Sequence, residues 1–167
     1  MKTGDLLARV QADWRAARPD IDATPMLTVI AVQRTSALLE RELQAFFASV
    51  DLTPPNFDVL ATLRRSAPPQ GLLLSRLGTL MAITPPAVTK RIDALEARGL
   101  VKRHPHEADR RALLVQLTDE GRALVDALLP RHVENERRLL SGLDDAERAQ
   151  LRALLVKLAA SFEPSEA

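Results

Sequence analysis

The 167-residue chain has no cysteine and no tyrosine, one tryptophan, four phenylalanines and six glycines. Without cysteine it can hold no disulfide framework, no Cys-ligated zinc, no iron–sulfur cluster and no thiolate nucleophile or thiol redox sensor. Long apolar runs are missing as well. The stretch Met26–Val32 covers seven residues, against the ~18 needed to span a bilayer. Lys2 is followed by Asp5, Arg9 and Asp13, which break the apolar stretches near the N-terminus and predict no signal-peptide core. Together these absences predict a cytoplasmic protein without a membrane partner. The few glycines are scattered and form no phosphate-cradling loop, and no Ser/His/Asp arrangement or paired-carboxylate pattern stands out. No enzyme, and no cofactor, is therefore expected.

Charge of one sign is also in short supply, with 23 Lys plus Arg against 22 Asp plus Glu and a net charge of +1. Such a balance argues against a nucleic-acid partner, because sequence-independent affinity for DNA comes from cations neutralising phosphates. The local distribution reverses that inference. Between Thr84 and Arg111 stand Lys90, Arg91, Arg98, Lys102, Arg103, Arg110 and Arg111 against Asp93, Glu96, Glu107 and Asp109. One segment is basic while the remainder is balanced. The 46% hydrophobic content fits one or two small globular domains.

Eleven prolines punctuate the chain. Leu7, Val10 and Trp14 recur at helical spacing before Pro19, predicting a helix over residues 4–17 and an extended link. Thr24 and Pro25 open a long helix to about Ser49 that carries more apolar surface than one small core needs. Thr53 caps a third helix, with Pro54 and Pro55 in its first turn, that ends at Pro68-Pro69-Gln70-Gly71. Two short helices follow, Leu74 to Met81 and Thr84 to Arg98, the second stopped by Gly99. Val88, Ile92 and Leu95 form its inner stripe, leaving Pro85, Pro86, Thr89, Lys90 and Asp93 outside. This is the helix-turn-helix pattern. Leu100 to Arg103 and Ala112 to Leu117 have β-compatible composition and flank a charged tip, 104–111, as in a hairpin wing. Thr118 caps a long helix past Leu140, with a kink or break expected at Pro130, and Asp144 opens a last one. The fold class is mainly α with one two-stranded hairpin.

The run Ala87-Val88-Thr89-Lys90-Arg91-Ile92-Asp93-Ala94-Leu95-Glu96-Ala97-Arg98-Gly99-Leu100-Val101, the tip Asp109-Arg110-Arg111 and Leu117-Thr118-Asp119-Glu120-Gly121 resemble the MarR family of winged helix-turn-helix regulators. The resemblance extends from about Thr24 to Phe162. It implies a homodimeric regulator, acting as a repressor or autoregulator, that binds double-stranded DNA at a pseudo-palindromic operator. It divides the chain into an extra N-terminal helix and link (1–23), a helical dimerisation region (24–51 and 118–162), a winged helix-turn-helix domain (52–117) and a tail (163–167). A narrower similarity is to the urate-responsive branch, whose pattern falls here on Trp14, Asp58, Arg91 and Arg103. It implies a small aromatic anion such as urate as effector, bound by those four residues. Pro85-Pro86 departs from the small or polar residues many relatives carry.

Each site has a plainer alternative. Thr84, Pro86, Thr89 and Lys90 face a major groove, or merely the solvent side of an amphipathic helix. Arg110 and Arg111 reach DNA, with Asp109 orienting Arg111, or form a solvated turn. Asp58 pairs with Arg91 or a ligand, or bridges to Arg65 in solvent. Two arginines near one aspartate suit a planar anion, since Arg offers bidentate hydrogen bonds that Lys cannot. Trp14 stacks on that ligand or only packs its own helix. His104 and His106 lack an evident third ligand, so no metal site is expected. From another class, the chain would be a helical dimeric interaction scaffold without DNA binding. Within the regulator class, the effector would instead be another phenolic or carboxylate compound.

Overall fold

In a computed structural model, residues 1–106 and 112–163 are described. The chain forms two compact units, 1–58 and 59–167. In the first, α1 (Thr3–Ala17) and α2 (Thr24–Ala48) pack together. Leu6, Leu7, Val10 and Trp14 are half-buried along one side of α1, the stripe that its periodicity predicts. The Arg34 guanidinium on α2 ties down the N-terminus, donating to Thr3 Oγ1 at 3.1 Å and to the Met1 carbonyl at 2.7 Å. Asp22 accepts the Thr24 backbone N–H at 3.0 Å ahead of Pro25, which starts α2 where the sequence signals it. At its far end Phe47 is 2% exposed, edge-on to Phe46 at 5.0 Å and tilted against Phe57 at 4.7 Å.

The third helix, α3 (Pro54–Ser66), begins in the first unit and continues into the second. There the order is β1 (Leu72–Leu73), α4 (Leu74–Met81), α5 (Pro85–Glu96), β2 (Val101–Pro105), β3 (Leu113–Leu117), α6 (Asp119–Leu139) and α7 (Asp145–Ala159). The architecture is mainly helical with a small antiparallel sheet. The sheet has three strands rather than two, ordered β1-β3-β2. Leu72 and Leu73 pair with Val115 and Leu114, giving the hairpin a third strand too short to show period-two patterning. The first strand of the hairpin also runs further toward the tip than its composition suggests. His104 and Pro105, expected in the tip, belong to β2 opposite Leu114 and Leu113. Proline is tolerated there because β2 is an edge strand.

The core of this unit is apolar: Leu60, Leu63, Leu77, Val88, Ile92, Leu95, Val101, Val115 and Val125 are all at most 2% exposed. No break occurs at Pro130, which lies inside α6. Proline removes one i to i−4 bond, and both Pro130 and Asp126, whose carbonyl loses its partner, are on the exposed side. Asp144 and Glu147 form a reciprocal capping box at the start of α7, each side chain accepting the other residue's N–H at 2.9 Å. No helix among the described residues is long and apolar enough to cross a membrane.

One junction sets the direction of α6. A Cβ on Gly121 would land on the Leu100 carbonyl oxygen and within 2.8 Å of its carbonyl carbon. Both of those atoms are backbone, so neither can swing aside. Gly121→Ala is expected to destabilise the protein by about 3 kcal/mol or more, read as a fall in the thermal or urea unfolding midpoint. Gly142→Ala, where an added Cβ meets nothing within 4 Å, is the matched control and should leave the midpoint within a degree or two.

Candidate nucleic-acid interface

The sequence places α5 with its apolar stripe inward, and Val88, Ile92 and Leu95 are fully buried. Thr84, Pro85, Pro86, Thr89, Lys90 and Asp93 are exposed on the opposite side. Ahead of α5, α4 stops at Ala82, which adopts the left-handed conformation (φ 51°) and returns its N–H to α4 carbonyls. An apolar groove of about 560 Å³ runs between the two helices, lined among others by Leu74, Ala82, Ile83, Pro85 and Val88. Thr84 is the residue preceding α5, yet its side chain caps no N–H. The Thr89 hydroxyl donates to the Pro85 carbonyl at 3.2 Å.

The other end of α5 is closed by Gly99 at φ 69°, a conformation glycine adopts without a Cβ penalty. The Gly99 N–H donates to the Glu96 carbonyl at 2.9 Å and the Leu100 N–H to the Leu95 carbonyl at 3.0 Å, which satisfies the last carbonyls and turns the chain into β2. Two residues into that strand, Arg103 reaches back to α5. Its Nε donates to Glu96 Oε2 at 2.9 Å, its Nη1 to Asp93 Oδ1 at 2.7 Å, and its Nη2 also to Glu96, while its backbone N–H donates to Glu96 Oε1 at 3.0 Å. The hydrogen bonds from Arg103 hold the Glu96 carboxyl below the usual glutamate range despite an opposing desolvation effect. Glu96, followed by Asp93, raises Arg103 in turn. Sequence inspection offered Arg103 as a ligand contact and did not find Glu96 or Asp93 as its partners. The available signal was a carboxylate pair at i and i+3 on the helix just before the strand.

Arg91, on the same helix, is half-buried and has no ion pair among the described residues. Trp14 and Asp58 belong to the first unit and Arg91 and Arg103 to the second. Trp14 is half-buried against its own unit, and Asp58 is exposed and forms no bridge to Arg65. Asp109, Arg110 and Arg111 lie outside the described residues. His104 and His106 are half-buried, and among the described residues no three His, Asp or Glu side chains converge as metal ligands.

Residues 50–112 match the profile of the MarR family. The chain is 43% identical over 142 residues to the HTH-type transcriptional regulator PecS of Dickeya dadantii, a match covering 85% of this chain and 86% of that one. It belongs to the MarR family. Members of the family are DNA-binding transcriptional regulators and not enzymes. Among solved structures, the chain resembles Staphylococcus aureus MepR in complex with DNA, with TM-score 0.71 and 25% identity over 78% of this chain and 95% of that one. It also resembles Bordetella bronchiseptica BpsR, whose DNA binding is regulated by 6-hydroxynicotinic acid, with TM-score 0.70 and 31% identity over 77% and 90%. The α4–α5 pair and the β2–β3 hairpin of this MarR-family chain are thus its helix-turn-helix and wing.

The Arg103 clamp has a pH signature. A carboxyl held below its ordinary range adds stability that is present above about pH 4.3 and is lost as pH falls through the depressed value. Glu96→Gln should therefore lower the unfolding midpoint at pH 7, by roughly 1 kcal/mol or less because Arg103 and Glu96 are 24% and 36% exposed and screened by water. The difference between variant and parent should narrow as pH falls below the ordinary glutamate range. Parallel thermal melts from pH 3 to 7 read both, and a gap independent of pH would show that the carboxylate charge does not stabilise this end of α5.

Proposed function

We propose that the protein is a ligand-responsive repressor that binds a pseudo-palindromic operator as a homodimer, one α5 helix entering each of two successive major grooves about 34–36 Å apart. The observation that carries this reading is the exposed face of α5, where Thr84, Pro86, Thr89 and Lys90 stand opposite the buried stripe in a fold shared with a DNA-bound relative. In the proposal the wing-tip residues Arg110 and Arg111 add phosphate and minor-groove contacts, with Asp109 orienting Arg111. Residues 24–51 and 118–162 form the dimerisation region. Supporting it, α7 has no buried residue although Leu151, Leu154, Leu155, Val156 and Leu158 are 39–64% exposed, and Met26, Val29, Val32 and Leu38 on α2 are similarly open. Apolar surface of this extent on helix faces marks an interaction site. The double substitution Leu154→Asp with Leu155→Asp should convert dimer to monomer in light scattering and weaken operator binding about 100-fold or more, because the second half-site no longer binds intramolecularly.

In the same proposal an aromatic anion such as urate releases the DNA by engaging Arg91 and Arg103, with Trp14 and Asp58 contributing to the response. Arg91 has no carboxylate partner among the described residues, and Arg103 already shows the bidentate geometry that planar anions use. A second effector class is favoured by one specific observation: the relative BpsR answers to 6-hydroxynicotinic acid, an aromatic carboxylate.

Fluorescence anisotropy on the duplex just upstream of the gene tests both levels. Affinity should fall steeply with salt as phosphate contacts release counterions. Urate at fixed salt should weaken binding some 5- to 150-fold, the effect of a coupling of ~1–3 kcal/mol, and Arg91→Ala should bind DNA but ignore urate. Release by salicylate-type carboxylates and not by urate assigns the second effector class. Absence of salt-dependent binding would leave a helical interaction scaffold.

A further inference from the structure

The leading turn of α5 has few hydrogen-bond donors. Its first two positions are Pro85 and Pro86, which have no backbone N–H. The Val88 N–H is spent on the Thr84 carbonyl at 3.1 Å, so within the first turn only Ala87, together with the preceding Thr84, keeps an unspent N–H at an end that on most helices presents several to a phosphate. The Thr89 hydroxyl donates its proton to the Pro85 carbonyl, so that donor is already engaged within the helix, and Thr89, though exposed, also borders the groove against α4. Pro85 lines the groove against α4. Pro86, Thr89 and Lys90, at i, i+3 and i+4, share one exposed helix face. On that face only Lys90 carries a strong donor.

A guanine offers two acceptors to the major groove and needs donors in return, whereas thymine offers its C5-methyl group. A proline ring set against a G·C edge would strip water from guanine O6 and N7 and cytosine N4 without replacing a hydrogen bond. Set against a thymine methyl it buries apolar surface on both sides and leaves thymine O4 and adenine N6 and N7 to water. We infer that Pro86, on the same exposed face as Thr89, is a specificity-determining residue that selects thymine by apolar contact in each half-site, and that donor-based base reading by that face of α5 is confined to Lys90. This rests on α5 being the DNA-facing helix and names what that helix prefers.

The test starts with selection of binding duplexes from a random pool by the intact protein. Each thymine of the selected site is then replaced in turn by deoxyuridine, which removes only the methyl group. One thymine per half-site should respond, with affinity falling about 4-fold, the worth of one buried methyl. Restoring a methyl there as 5-methylcytosine paired with guanine should not recover binding, because the unpaired guanine acceptors remain. Pro86→Ser, which restores an N–H and a hydroxyl at an exposed position, should select sites with that thymine preference relaxed and be indifferent to deoxyuridine. If every deoxyuridine duplex binds like its parent while affinity still falls steeply with salt, α5 reads DNA but not in this way, and the inference is overturned. If no duplex is selected even at low salt, the DNA-facing assignment itself fails and takes the inference with it.

Discussion

The arrangement of α5, wing and α6 depends on the meeting of Leu100 and Thr118. The Thr118 N–H donates to the Leu100 carbonyl at 3.2 Å, its hydroxyl donates to the Gly99 carbonyl at 2.7 Å, and the same oxygen accepts the Gly121 N–H at 3.0 Å. One residue therefore closes the end of α5 and caps α6 with its hydroxyl, and joins the two strand bases with its backbone N–H. The geometry is possible because Gly121 presents no Cβ to the Leu100 carbonyl. Backbone groups set this close must be paired, and here each of them is. The direction in which α6 leaves the wing is fixed by atoms that cannot adopt another rotamer.

Arg103 adds a second tie some residues further out. It links the first strand of the wing to the last turn of α5 through two carboxylates on successive turns, Asp93 and Glu96. The hairpin is thus held to α5 by backbone at its base and by charge-assisted hydrogen bonds along its edge. Charge-assisted bonds are the stronger kind but respond to pH and to competing anions, whereas the Thr118 junction does not. Of the two ties, only the one through Arg103 is made by ionisable side chains on both sides.

Local signals carried most of the fold. Thr84 with Pro85, Gly99, Thr118 and Asp144 mark helix ends through chemistry confined to three or four residues, and the Val88, Ile92, Leu95 stripe needs only helical spacing. What escaped the sequence depends on partners far away in the chain. Leu72–Leu73 is a strand only because β3 lies beside it, and Pro105 stays in β2 only because that strand is at the edge. The choice of Glu96 and Asp93 as partners of Arg103 is likewise a product of the Gly99 turn, which returns β2 alongside α5. The exposed face of α5 was legible for the same reason as its buried face. For Asp58 the sequence leaves a ligand partner and a solvent position open, because apolar neighbours in sequence do not fix which way a helical side chain faces, and on α3 it is exposed.

Within the proposed ligand response, the clamp sets a condition on where the binding energy goes. A guanidinium has five N–H donors, and Arg103 directs Nε, Nη1 and Nη2 at Glu96 and Asp93. An anion that approaches Arg103 must either take the remaining hydrogens or displace a carboxylate. Taking the remaining hydrogens leaves the wing tied to α5 and gives no difference between DNA-competent and incompetent states, so such binding shifts no equilibrium. Displacing Glu96 or Asp93 loosens the wing from the recognition helix, and the cost of breaking the clamp becomes the differential that couples the ligand to DNA. Arg91 carries no such cost, since it has no carboxylate to lose among the described residues. In this division Arg91 supplies affinity for the anion and Arg103 supplies the coupling.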